Sequence, residues 1–486
     1  MVRCKTVLPL LALLLLPAQA QADVPEDDRT FILARADQYR PRLDAAALAI
    51  WNFAEPGFQE VRSTARLQEE LRRAGFTVEA GVAGMPTAFI ARYRTGPGPV
   101  IGLLAEFDAL PGLSQRVSAE RAPVAGGDYG HGCGHNLFGA ASAGAAIAVK
   151  QWMDARGIKG EIRVYGSPAE EGGSGKVFLV RAGLMQDVDA MLHWHPSDHD
   201  SASQGRTLAS ISGRFRFTGT AAHAAMAPEQ GRSALDGVQA MNLMVEMLRE
   251  HVPQETRIHY IISDGGSAPN VVPEKAASYY YVRNPDQAEL RSIFARVMEA
   301  AKGAAMGTGT RVSFEQSGGS FDILPNDTLG RVLYRNLAAL PAPVRSAGEQ
   351  AFIAAIEKTL PAPPRAEAQG APTVEPYILG TLNSVSSDVG DVSYVTPTAG
   401  LGTQTWPEGT PAHSWQAVAA SGQALGLDGA DRAARALALS IADLFRTPAL
   451  LAEAKAELAR RRGADFRYVS LLGDQPPALD YRKKDR

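Results

Sequence analysis

Cysteine is nearly absent. The 486-residue chain holds 2, Cys4 and Cys133. Cys4 precedes an apolar N-terminal run, so Cys133 would stand alone in the processed chain, and a disulfide framework is excluded. A second long apolar run is also missing. The run Val7–Pro17 is too short to span a bilayer comfortably, which takes roughly 20 residues, so no integral membrane protein is expected. No basic patch or stripe occurs, and formal net charge is −3, which argues against a nucleic-acid partner. His-Glu-x-x-His and Gly-x-Ser-x-Gly are both lacking, which removes the one-zinc protease helix and the serine-hydrolase elbow. "EEGGSGKV" fails as a phosphate loop, because Glu170 replaces the first glycine and Val177 the Ser/Thr.

What is present begins with Arg3 and Lys5, the Leu-rich run to Pro17, and "AQAQAD" with small residues spaced for cleavage. This is the pattern of a secretory signal peptide over 1–22, with cleavage after Ala20 or Ala22 and a secreted or periplasmic product. In an oxidising compartment a lone reactive thiol is a hazard. Cys133 lies in "YGHGCGHNLFG", two residues after His131 and two before His135, among Gly130, Gly132 and Gly134. Glycines let side chains crowd a small centre. A buried inert thiol is the plain alternative, but the flanking imidazoles favour a metal-bound thiolate, which is both deprotonated and protected.

From Asp28 to Ser210 helical and strand patterns alternate, as in "VRSTARLQEELRRAGF", "PVIGLLAEFDAL", "LFGAASAGAAIAVKQWMDARG" and "GEIRVYGSPAEEGG". Such alternation predicts an α/β catalytic domain with a mostly parallel sheet covered on both faces. Over 212–319 the rhythm changes to β-α-β-β-α-β, a ferredoxin-like module inserted into the first domain. The resulting division is 23–211 and 320–460 for the catalytic domain, 212–319 for the insertion and 461–486 for a charged tail. A Pro/Ala-rich stretch, 360–376, reads as an exposed loop or arm, and "SWQAVAASGQALGLDGADRAARALALSIADLF" as a long helical stretch.

Open parallel sheets bind ligands beyond the carboxyl ends of their strands. Asp108 closes the first apolar strand, and Cys133 and His135 precede the Gly/Ala helix. Glu170 and Glu171 close "IRVYGSP", His193 and His195 close "DAMLHWHP", and His413 precedes the C-terminal helix. Thiolate, imidazole and carboxylate together favour zinc over magnesium or calcium. A solvated pair is the usual reading of adjacent glutamates. At a strand end, alternation instead lets one carboxylate bind metal while its neighbour takes a proton from water.

The pieces "HGCGHN", "SPAEEGG", "DAMLHWHP", "GTAAHAAMAPEQGRSALDGV", "GGSAPNVVPEKA", "SSDVGDVSYVTPT" and "PAHSWQ" occur in order along nearly the whole processed chain. In these pieces the chain resembles the dinuclear-metal amidohydrolases and peptidases that include aminoacylases and carboxypeptidase G. Within them it is most similar to the amidohydrolases of the p-aminobenzoyl-glutamate hydrolase type, the B subunit in particular. The resemblance implies a catalytic α/β domain whose inserted lid also dimerises, and two divalent metal ions, zinc with manganese as the alternative. It implies Cys133, His135, Glu171, His195 and His413 as metal ligands, with His193 competing for the place of His195. Glu170 is the implied general base and acid, and His223 the implied oxyanion donor to a neighbouring subunit. Asn270 is the implied substrate-binding residue, and His131 a residue behind the ligands. Many relatives have Asp and His where this chain has Asn136 and Phe138.

The expected reaction is hydrolysis of an amide bond in an N-acyl amino acid, an aminobenzoyl-glutamate-like amide or a dipeptide. The expected assembly is a homodimer, with a second subunit type left open. The rival is a catalytically inactive periplasmic metal- or peptide-binding protein, which would have no use for a base at Glu170.

Overall fold

The computed structural model describes residues 24–361 and 374–482. The expected signal peptide, 1–22, lies outside the described residues, as does most of the Pro/Ala-rich stretch. Strands β1 (Thr77–Ala80), β2 (Phe89–Arg94), β3 (Val100–Ala105), β4 (Glu161–Gly166) and β5 (Ala190–Ser197) come first along the chain. An inserted group follows, β6 (Ala209–Thr218), β7 (Arg257–Asp264), β8 (Lys275–Asn284) and β9 (Arg311–Ser320). Then β10 (Thr398–Gln404) returns to the first sheet.

That first sheet has the order β1-β2-β4-β3-β5-β10. Neighbours from β4 to β10 pair in parallel, and β2 runs against them between β1 and β4. The sheet is therefore mostly parallel, as the alternating pattern predicts. β3 and β4 are buried at nearly every position, because helices cover both faces of a central strand.

The Gly/Ala-rich helix α2 (His135–Arg156) lies under α1 (Glu26–Phe53) and is buried without a break from His135 to Val149. Its small residues permit this. A Cβ on Gly139 would stand 2.7 Å from the carbonyl oxygen of Glu106, so glycine lets the first turn of α2 lie against the end of β3.

In the insertion the sheet order is β7-β8-β6-β9, all antiparallel. With α3 (Ala234–Leu248) between β6 and β7, and α4 (Gln287–Thr308) between β8 and β9, the chain order is βαββαβ. The helices and sheet share a core that includes Phe215, Val238, Met241, Tyr280 and Ile293. β6 starts at Ala209, ahead of the expected 212, because Ser210 and Ser212 are still paired to Arg283 and Tyr281 of β8. At β7 the edge exposes Ile261 and Ile262, and α3 exposes Leu243 and Met247.

The expected long C-terminal helix is two helices, Trp415–Ser421 and α5 (Ala424–Arg446), followed by α6 (Pro448–Arg462). Gly422 makes the break: a Cβ there would stand 2.6 Å from the Trp51 ring. Beyond α6 the chain crosses from one core to the other. Leu471 packs in the insertion's core and Leu472 in the first. Buried Asp391 ties this junction, accepting from the Phe321 backbone N–H (2.8 Å) and the Tyr468 hydroxyl (2.6 Å).

Candidate metal centre

Four connections at the carboxyl ends of strands converge. After β3 come Glu106 and Asp108. The glycine turn before α2 supplies Cys133, and Gly134 at φ 71° starts the helix with His135 at its head. β5 supplies His195, and His413, itself at φ 60°, precedes Trp415.

Glu170 and Glu171 are placed differently from the expectation. β4 ends at Gly166, and the two acids sit on a short turn entered through Ala169 at φ 56°. Pro168 lacks the N–H that a strand ladder needs, so the extended alternation expected to separate the two carboxylates does not apply. The turn does the separating: Glu171 faces His413, and Glu170 faces Glu106 and His135.

Cys133 Sγ stands 3.4 Å from His195 Nε2. His413 Nε2 stands 3.3 Å from Glu171 Oε1. His135 Nδ1 meets Asp108 Oδ1 at 2.8 Å, and its Nε2 meets Glu106 Oε2 at 3.0 Å. The other Asp108 oxygen accepts the Glu171 backbone N–H (2.9 Å). Two donor groups emerge, Cys133/His135/His195 and Cys133/Glu171/His413, each with ligand atoms within 4.8 Å of one another. The thiol belongs to both. A third group, Glu106/His135/Glu170, borders the first.

His195 joins these groups and His193 does not. The His193 ring packs against Gly400, where a Cβ would stand 2.3 Å from it, and burial pushes its pKa down to about 3. His131 hydrogen-bonds the Ile50 carbonyl (3.0 Å) behind the turn, and burial holds its pKa near 4. His223 and Asn270 are not brought to this centre by their own chain. Both are exposed on the insertion, where the Ala224 N–H donates to the Asn270 carbonyl (3.0 Å) and His223 Nδ1 accepts from the Ala225 and Met226 N–H groups.

Burial alone would raise the Cys133 thiol, but the charges of His195 and His135 pull it well below its ordinary range. Burial opposes a charge on His135, yet Glu106, Cys133 and Asp108 raise it well above the usual value. Glu170 is raised well above the carboxylate range by burial and then by Glu106, Glu171 and Asp388. The cluster thus holds excess negative charge that its own histidines must balance. Buried Glu106 Oε2 and His135 Nε2 stand 3.0 Å apart, and Glu171 Oε1 stands 3.3 Å from His413 Nε2, in each case without a well-aligned hydrogen bond. A thiolate, imidazoles and carboxylates that face one another in this state fit a divalent cation.

The structure adds Glu106, Lys176 and Asp388, which the motifs do not single out. Fully buried Lys176 Nζ lies 2.6 Å from both Glu106 Oε1 and Asp388 Oδ1, so a closed ion-pair network backs Glu170. At the level of sequence "GSGK" invites only the phosphate-loop reading. A lysine directly after a glycine-rich acidic turn is the available signal for a buried counter-charge.

Ligand-bearing loops at the ends of a parallel sheet, beneath a lid made by an insertion, define a two-domain metallohydrolase. Residues 208–308 match the M20 peptidase dimerisation domain. The B subunit of p-aminobenzoyl-glutamate hydrolase from Escherichia coli (strain K12) is 40% identical over 443 residues, covering 86% of this chain and 92% of its own. The Xaa-Arg dipeptidase of Mus musculus is 30% identical over 308 residues, covering 61% of this chain and 67% of its own. Among solved structures, an aminobenzoyl-glutamate utilization protein from Klebsiella pneumoniae shares the fold. Its TM-score is 0.55 at 19% identity, over 81% of this chain and 97% of that one. The chain belongs to the M20 peptidase family.

Proposed function

We propose that the protein hydrolyses the amide bond of an N-acyl amino acid, an aminobenzoyl-glutamate-like amide or a dipeptide. The observation that carries this is the single turn holding Glu171 among the thiol and imidazole donors and Glu170 beside them, free for proton transfer. Two divalent ions, zinc by donor type with manganese the alternative, would be held by Cys133/His135/His195 and Cys133/Glu171/His413. When bound, they supply polarisation of the amide carbonyl and a more acidic water.

Glu170 accepts the proton of the attacking water as its oxygen bonds to the carbonyl carbon. It then delivers that proton to the amine nitrogen as the carbon–nitrogen bond breaks. Asp108 fixes the ring orientation of His135, and Lys176 holds Glu106 in place behind it. His223 donates a hydrogen bond to the developing oxyanion in a neighbouring subunit, with Asn270 touching substrate there. The apolar β7 edge and α3 surface support a homodimer through the insertion. A second type of subunit would fit as well, since the similar E. coli hydrolase has an A subunit beside its B subunit. Export is part of the same reading, supported by Arg3, Lys5, the apolar run and "AQAQAD".

A binding protein with a dead centre would not need Glu170 beside the donor groups. The test is a panel of N-acyl amino acids, aminobenzoyl-glutamate and dipeptides, offered to metal-replete protein. Release of the free amine supports the proposal. No turnover on any member, with metal fully bound, rejects it in favour of binding.

A further inference from the structure

A guanidinium from beyond α6 enters the catalytic cavity. The cavity, about 720 Å³, is lined by Glu170, Glu171, His195 and His413 on one side and by Tyr281 and Arg283 of the insertion on another. Arg482 lines it as well. Arg482 Nη2 donates to the Glu171 backbone carbonyl (2.6 Å), and the Tyr481 hydroxyl donates to the same oxygen (2.9 Å). The Tyr129 hydroxyl holds the Arg482 carbonyl (3.2 Å).

The surroundings are shaped to receive this segment. Tyr481 meets Phe58 edge-on at 5.7 Å, and a Cβ on Gly57 would stand 2.3 Å from the Tyr481 hydroxyl. Gly172 is equally constrained, at φ 93° with a Cβ position 2.9 Å from the Tyr281 hydroxyl. The segment is therefore seated on the backbone of Glu171, itself in the donor group with Cys133 and His413.

Arg482 is not fully used by these contacts. Its Nε is buried without a hydrogen-bond partner, and among the described residues it forms no ion pair. The nearby acids are otherwise engaged: Glu171 faces His413, and Glu106 holds Lys176. A partly desolvated cation without a counter-charge is costly, and the planar fork of a guanidinium fits a carboxylate.

We infer that Arg482 is a specificity residue that receives a carboxylate of the substrate. The inference rests on the amide-hydrolase reading and assigns recognition of the substrate's free carboxylate to a segment outside both sheets. The rival role is a strap, in which Arg482 only ties the tail to the Glu171 turn.

Arg482→Gln and Arg482→Lys separate the two. Each is assayed on an N-acyl amino acid with a free carboxylate and on the same compound as its carboxamide. Arg482→Gln should raise KM for the carboxylate roughly 10- to 100-fold, the worth of a charged hydrogen bond. Constants for the carboxamide should change far less than those for the carboxylate, with Tyr481 still holding the Glu171 carbonyl. Arg482→Lys keeps the charge without the fork and should recover part of the loss; it also serves if Arg482→Gln does not fold. Equal losses on both compounds with a lower melting temperature would assign the strap instead. An unchanged preference for the carboxylate would overturn the inference outright. Calorimetric binding of the same N-acyl amino acid to Glu170→Gln, with and without Arg482→Gln, needs no turnover. Weaker binding in the double variant supports the role of Arg482 even if the amide-hydrolase reading fails; equal binding rejects it even if that reading holds.

Discussion

His413 Nε2 faces Glu171 Oε1 at 3.3 Å, and Cys133 completes that donor group. Glu170, the adjacent residue on the same turn, belongs to a different group with Glu106 and His135. Neighbours in sequence are thus divided between two chemical tasks, and their substitutions should fail differently.

Glu170→Gln keeps the size of the side chain and removes the base. Metal content should stay near normal while turnover falls by roughly two to four orders of magnitude. Glu171→Gln should lose metal along with activity. Metal analysis beside a turnover assay checks both, and full turnover in Glu170→Gln would refute the proposed proton transfers.

Cys133 should respond to thiol reagents according to metal content. The metal-loaded protein should resist labelling, and the chelated protein should react quickly, because the histidines beside Cys133 favour its thiolate. Cys133→Ser should lower metal and activity together. Equal labelling rates with and without metal would exclude a ligand role.

His223 tests the dimer. His223→Ala should cost about two to three orders of magnitude in turnover with metal stoichiometry intact, the pattern of an oxyanion donor. Mixing it with Glu170→Gln should restore part of the activity, since some mixed dimers pair an intact Glu170 with a partner's intact His223. If subunits demonstrably exchange and no activity returns, His223 has no catalytic role across the dimer.

Asp391 gives a pH signature away from the metal centre. Burial raises its carboxyl from 3.8 to about 7 in the fold. Between those values the folded chain keeps a proton that the unfolded chain has released, so stability falls as pH rises through this window. Asp391→Asn keeps the size of the side chain, can still accept the Phe321 N–H through its one oxygen while its amide donates to the Tyr468 hydroxyl oxygen, and does not titrate. Its unfolding free energy should gain on the wild type from about pH 4 to about pH 7, by at most about 4 kcal/mol. Denaturant melts across that range check it, and parallel curves would remove the assignment.

Much of this site is legible in the sequence because its donors follow strands with clear periodicity. A continuous apolar run marks β3, a strand-then-polar segment marks β4, and the break to βαββαβ marks the insertion. Cys133, His135, Glu171, His195 and His413 stand at strand or helix ends, where the fold gathers them. His193 and His195 cannot be separated by alternation, since both point to one face of β5. The close approach of Gly400 to the His193 ring decides it, and that is a tertiary fact. Glu106 is hidden within an apolar run, and the partners of Lys176 are far apart in the chain. Arg482 carries no signal at all: in a charged stretch without periodicity, nothing distinguishes a cation that returns to the cavity.

The sulfur common to both donor groups would, under the proposed metal binding, set how the protein ages. With two separate ligand sets, damage to one would leave the other. Here one oxidised atom removes a donor from both. Without metal, Cys133 is a thiolate-prone side chain with no second cysteine among the described residues to trap a sulfenic acid as a disulfide. Under the proposed metal binding and export, metal loss would become a one-way step, the empty centre oxidising onward to forms that cannot be reloaded, and working lifetime would be governed by the rate at which metal leaves.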